Sequence, residues 1–153
     1  MIGVIHHTAI STGNLQRTVA FYRVLFGFEV VTEFGWPVGS AVTDRIMGLA
    51  GSAGRAAMLR KGNAMIEVFE FAAPRPKPSD PRRPVCDHGV THIGFHVQDI
   101  QHEYDRLTAA GMTFHCPPQR IGPTEWATYG RDPDGNVIEL IEIGNPDHPM
   151  ALR

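Results

Sequence analysis

The chain repeats itself, and a repeat constrains a fold more than any single motif, because both copies must solve one packing problem in one way. His7, Asn14 and Leu15 recur as His92, Asp99 and Ile100 at a constant offset, and Gly27 recurs as Gly111 with one residue fewer. Later in each half, Ile66-Glu67-Val68-Phe69-Glu70-Phe71 returns as Ile138-Glu139-Leu140-Ile141-Glu142-Ile143. Each half therefore predicts one β-α-β-β-β module. A module with a single helix covers one sheet face, so the other face must pack on something or line a cavity. The expected class is α+β, with two tandem βαβββ modules forming a curved mixed sheet around a metal-binding cavity. The expected boundaries are 1–73 for the first module, 74–89 for a linker, and 90–153 for the second module and a C-terminal tail.

Local patterning agrees. Leu15, Val19, Tyr22 and Phe26 recur at helical spacing between the cap candidates Asn14 and Gly27, and Ile100, Tyr104 and Leu107 do so between Asp99 and Gly111. Strands are expected at 5–11, 28–31, 56–59, 65–71, 91–97, 112–115, 126–129 and 136–142, with turns at Lys61-Gly62-Asn63 and Asp132-Pro133-Asp134-Gly135. Prolines 74, 76, 78, 81 and 84 exclude helix and central strand, which marks an extended linker. The glycine-rich region from Phe34 to Gly54 departs most from the repeat; it reads as a long loop with a short helix near Asp44, and as a substrate lid.

Chemistry concentrates at matched positions. In Thr91-His92-Ile93-Gly94-Phe95-His96-Val97 the apolar residues alternate with His92, Gly94 and His96, which leaves two imidazoles on the face away from the helix. Glu67 and Glu139 each sit inside an apolar strand, where a carboxylate is costly unless paired or bound to metal. A lone histidine or glutamate of this kind is more often structural, but a structural explanation would here have to recur twice at equivalent places. His7, Glu67, His92 and Glu139 are thus candidate ligands for one divalent ion, with Zn, Ni, Co, Mn and Fe(II) all compatible. The same repeat separates His92 from His96, because the position matching His96 is Ser11. Glu70 and Glu142 have the opposite strand parity and are expected outside the site.

Composition narrows the partners. The 153 residues carry a formal net charge of -2, which provides no electrostatic footprint for nucleic acid or an anionic membrane. No run is long and apolar enough to cross a bilayer, and no export signal is visible, so the expected location is cytoplasmic, with Cys86 and Cys116 as free thiols.

These residues resemble the vicinal oxygen chelate superfamily of glyoxalases, epimerases, extradiol dioxygenases and bleomycin-type resistance proteins. The resemblance rests on His7-Thr8-Ala9-Ile10, Ala20-Phe21-Tyr22, Leu25-Phe26-Gly27-Phe28, Ile66-Glu67, His92-Ile93-Gly94-Phe95 and Asp132-Pro133-Asp134-Gly135-Asn136-Val137-Ile138-Glu139-Leu140. It implies a metal that stabilises an oxyanion of a small-molecule substrate, with Glu67 and Glu139 as ligands or bases, and it implies a homodimer. Filled ligand positions favour a lyase or isomerase acting on a small carbonyl or hydroxy-acyl compound. The alternatives are an Fe(II) ring-cleaving dioxygenase and a non-catalytic binding or resistance protein. Where glutathione-binding members carry arginine and asparagine, this chain has Ser11 and Phe71, and where epimerases carry a further carboxylate it has Ala56-Ala57-Met58. His96, Phe69, Trp126 and Tyr129 are the expected substrate contacts, with Trp36 beside them.

Overall fold

The computed structural model describes residues 3–152; Met1, Ile2 and Arg153, which fall inside the expected modules, lie outside the described residues. The chain divides into two compact units, Met1–Ser79 and Asp80–Arg153.

In the first unit, β1 (Thr8–Ser11), α1 (Leu15–Phe26), β2 (Glu29–Trp36), α2 (Ala41–Met47), β3 (Ala53–Lys61) and β4 (Ala64–Ala73) follow in order. The sheet runs β1-β4-β3-β2, with β1 parallel to β4 and the other pairs antiparallel. Helix α1 starts where the Asn14 side chain accepts a hydrogen bond from Arg17 N, and it stops at Gly27, whose φ is 69°. Its stripe of Leu15, Val19, Tyr22 and Phe26 is buried, as are Ala57, Leu59, Ile66 and Val68 of the sheet.

The second unit repeats the plan with β5 (Ile93–His96), α3 (Ile100–Ala109), β6 (Thr113–Phe114), β7 (Gln119–Arg120), β8 (Glu125–Arg131) and β9 (Val137–Ile143). Its sheet order is β5-β9-β8-β6, with the short β7 pairing β8. Registers also repeat: Ala9 lies across from Glu67 in the first unit and Gly94 across from Glu139 in the second. Asp99 caps α3 through His102 N, and Ile100, Leu107, Ile138 and Leu140 are buried.

The region from 34 to 54 is not a long loop. Strand β2 continues through Trp36, helix α2 follows, and β3 begins at Ala53. Two of the glycines that suggested a loop mark close packing: a Cβ on Gly35 would come within 3.0 Å of Gly54 O, and one on Gly54 within 2.8 Å of the Trp36 ring and 2.7 Å of Glu70 O. The proline-rich stretch has neither helix nor strand, yet its second half belongs to the second unit. There Arg131 donates to Arg83 O at 2.9 Å, and Arg83 donates to Val90 O at 2.8 Å. Strand β5 is shorter than expected, so His92 lies just before it and His7 just before β1.

Candidate metal-binding site

Each unit presents one histidine and one glutamate on the sheet face turned away from its helix. A residue just before the first strand and a residue across from that strand's second position share a face, because side chains alternate with period two. His7 Nε2 is 3.2 Å from Glu67 Oε2, and His92 Nε2 is 3.2 Å from Glu139 Oε2. The glutamates are the more buried partners, 12% and 16% exposed against 34% and 28% for the imidazoles.

The other ring nitrogen is occupied in both units by the preceding side chain. His7 Nδ1 is 2.8 Å from His6 Nδ1, and His92 Nδ1 is 2.9 Å from Thr91 Oγ1. Such a partner fixes ring orientation and leaves Nε2 for the glutamate or for a metal. Donors about 2.1 Å from one ion and at right angles to each other lie about 3.0 Å apart, so each pair has the spacing of two adjacent ligands. Each unit supplies two donors, and among the described residues no three histidine, cysteine or acidic side chains gather as a complete metal cluster.

Glycine and alanine sit under the glutamates. A Cβ added to Gly94 would come within 3.2 Å of Glu139 Oε2, whereas the matching Ala9 already carries one. The remaining surroundings differ between the units. Tyr129, across from Glu139, lies against His92 with ring centroids 5.0 Å apart. Burial, with a smaller contribution from the Glu139 charge, pushes the Tyr129 phenol above its ordinary value, so it stays protonated. His115 packs on Tyr129 at 6.3 Å and accepts a hydrogen bond from Arg131 Nε at 3.1 Å. Burial first and the Arg131 charge second hold its pKa below the ordinary imidazole value. In the first unit the position matching Tyr129 is Met58, and the wall beyond Glu67 is aromatic: Trp36, Phe69 and Phe71.

The expected substrate contacts divide. Phe69 shares the Glu67 face, and Tyr129 and His96 share the Glu139 face, His96 being exposed. Trp126 does not join them. It pairs with Glu142, three residues from Glu139, and β8 and β9 run without a bulge, so Trp126 lies on the helix-covered side. Glu70 and Glu142 are on that side too, and both serve the helices: Leu15 N donates to Glu70 Oε2 at 2.6 Å, and Ile100 N donates to Glu142 Oε2 at 2.8 Å. A different acid, Glu125, lies on the Tyr129 face but is engaged by Thr124, which holds its pKa low, and stands 3.6 Å from His148. Sequence reasoning missed the partners of the ring nitrogens. A polar residue preceding the histidine in both halves was the available signal.

The chain belongs to the Glyoxalase/Bleomycin resistance protein/Dioxygenase superfamily, whose model matches residues 4–140. Within it, the chain is 31% identical over 147 residues to a 2-epi-5-epi-valiolone epimerase of Actinomyces sp., covering 91% of this chain and 79% of the relative. In fold it is similar to a glyoxalase family protein of Bacillus cereus, with a TM-score of 0.81, 24% identity and coverage of 93% of this chain and 95% of that one. It is also similar to the genomically encoded fosfomycin resistance protein FosX of Listeria monocytogenes, solved with Mn(II) and sulfate, at a TM-score of 0.60 and 19% identity, covering 93% of each chain. The last two likenesses concern the fold.

Proposed function

We propose that this protein is a metal-dependent lyase or isomerase, epimerase-like in its chemistry, acting on a small carbonyl or hydroxy-acyl compound. The observation that carries the reading is the recurrence of one His–Glu pair, at 3.2 Å and in one register, in both units. The epimerase among the relatives supports the reaction class, and the Mn(II) in the Listeria protein makes manganese the first ion to test.

His7 with Glu67, and His92 with Glu139, would each offer two donors to a divalent ion, which when bound supplies Lewis acidity to a substrate oxygen beside the reacting carbon. Glu67 Oε2 or Glu139 Oε2 accepts the proton from the carbon next to the carbonyl and returns it. The imidazoles are held in orientation, with Nδ1 engaged by His6 and Thr91. Tyr129, protonated, flanks His92 and offers a hydroxyl to a polar substrate group.

The test combines metal binding and exchange. Titrating metal-free protein with Mn(II), read by calorimetry, is expected to show tight binding that Glu67→Gln and Glu139→Gln each weaken. The loaded protein is expected to wash solvent deuterium into the carbon next to the carboxylate of a 2-hydroxy acid, and Glu67→Gln or Glu139→Gln to abolish this. No Mn(II) binding, or full exchange in both variants, would show the reading to be wrong.

A further inference from the structure

Trp36 is 9% exposed and does not pack into the helix-covered core. It lies over Gly54 on the Glu67 side of the sheet, edge-on to Phe69 at 6.0 Å and to Phe71 at 5.6 Å. Phe69 and Phe71 stack at 5.6 Å with 24° between their planes, and both are only half-buried. Alternate residues of a strand are about 7 Å apart, so this aromatic floor extends from about 7 to about 14 Å beyond Glu67.

The indole is fixed from behind. Trp36 Nε1 donates to Ser52 Oγ at 3.0 Å, and Ser52 Oγ donates to Asp44 Oδ1 at 2.5 Å. Asp44 also accepts from Ser52 N and Gly51 N. Ser52 is fully buried, so the one polar atom of the indole is committed to the protein, and the surface left toward the Glu67 face is wholly apolar. A polar substrate tail would lose hydration there without gaining a partner.

We infer that Trp36, Phe69 and Phe71 form a subsite for a planar apolar group on the substrate, and that Asp44, acting through Ser52, is a positioning residue for it. The inference rests on the functional reading above and refines it: the substrate is an oxo- or hydroxy-acyl compound with a ring one strand step from the reacting carbon. The floor takes the flat face of that ring, as offset or edge-to-face aromatic pairs do.

The test uses the full chain carrying Trp126→Phe, which leaves Trp36 as its sole tryptophan. Mn(II)-loaded protein is titrated with 2-oxo-5-phenylpentanoate, whose three-carbon spacer lets the ring reach the floor, read by Trp36 fluorescence, and with pyruvate by competition. The phenyl acid is expected to bind at least tenfold tighter. Phe69→Ala and the milder Phe69→Leu are expected to bring the two acids within about threefold. Asp44→Asn is expected to narrow the preference while leaving pyruvate affinity and the Mn(II) Kd unchanged, a split that general loosening of the fold would not produce. Equal binding of the two acids, binding of neither, or a preference that survives Phe69→Ala overturns the subsite. Failure to bind Mn(II) with the phenyl preference intact sinks the functional reading and supports the floor.

Discussion

Replacing Glu70 by alanine removes the acceptor that Leu15 N uses at the start of α1, in a residue 1% exposed. A hydrogen bond from a backbone N–H to a charged group contributes about 1.5–3 kcal/mol. The half-exposed Arg55 partner, at 3.0 Å, adds about 0.2–1 kcal/mol. The expected loss is therefore about 2–4 kcal/mol, which in a chain of this length lowers Tm by roughly 4–16 °C. Glu142→Ala removes the matching bond to Ile100 N, but Glu142 has no arginine partner among the described residues, so its loss is expected to be smaller, about 1.5–3 kcal/mol without the added ion pair. The Glu70 carboxyl is held below its ordinary value of 4.5, chiefly by the Leu15 N–H and then by Arg55. Because the folded pKa is the lower one, the contribution is fully present above the ordinary value and is lost as pH falls through the folded value. Glu70→Gln keeps an acceptor oxygen but removes the charge, so its deficit is expected to shrink on acidification from pH 7 toward pH 3. Urea denaturation of the three variants across that range reads all of this. A Glu70→Ala loss under about 0.5 kcal/mol, or a larger loss for Glu142→Ala, would refute the reasoning.

Thr91→Val removes the partner of His92 Nδ1 while keeping shape, and is expected to weaken Mn(II) binding about 10-fold without changing Tm, as a calorimetric titration would read. Gly54→Ala forces a methyl against the Trp36 ring and Glu70 O and is expected to cost about 1–3 kcal/mol in urea denaturation. Leu59→Ala, at a fully buried position, is expected to cost about 2–5 kcal/mol by the same measurement. Gly94→Ala asks the Glu139 carboxylate to give a few tenths of an ångström; since Ala9 coexists with an intact His7–Glu67 pair, Mn(II) affinity is expected to fall less than for Thr91→Val.

The module order, the two module helices and the His–Glu pairing within each unit were legible because each left a signal in both halves. Parity alone separated Glu67 from Glu70, and the registers place them on opposite faces of β4. Where the halves differ, the reading was weaker. Gly35, Gly39, Gly48, Gly51 and Gly54 looked like loop composition, yet two of them, Gly35 and Gly54, lie in paired strands, with Gly54 under an indole. Aromatic character placed Trp126 with Tyr129, although their spacing of three residues on one strand puts them on opposite faces. Nothing local to Asp44 or Ser52 announces a relay, because the two are joined only by the turn that α2 makes before β3.

Strand β4 carries a donor and a helix tether three residues apart, and β9 does the same. A single inserted or deleted residue between them would turn one of the two carboxylates to the wrong face, so this short segment tolerates substitution far better than any change of length. Room for divergence was left at their neighbours: Ala9 against Gly94, Met58 against Tyr129, Phe69 against Ile141. Those three pairs give two similar sheets different surroundings for the same His–Glu pair.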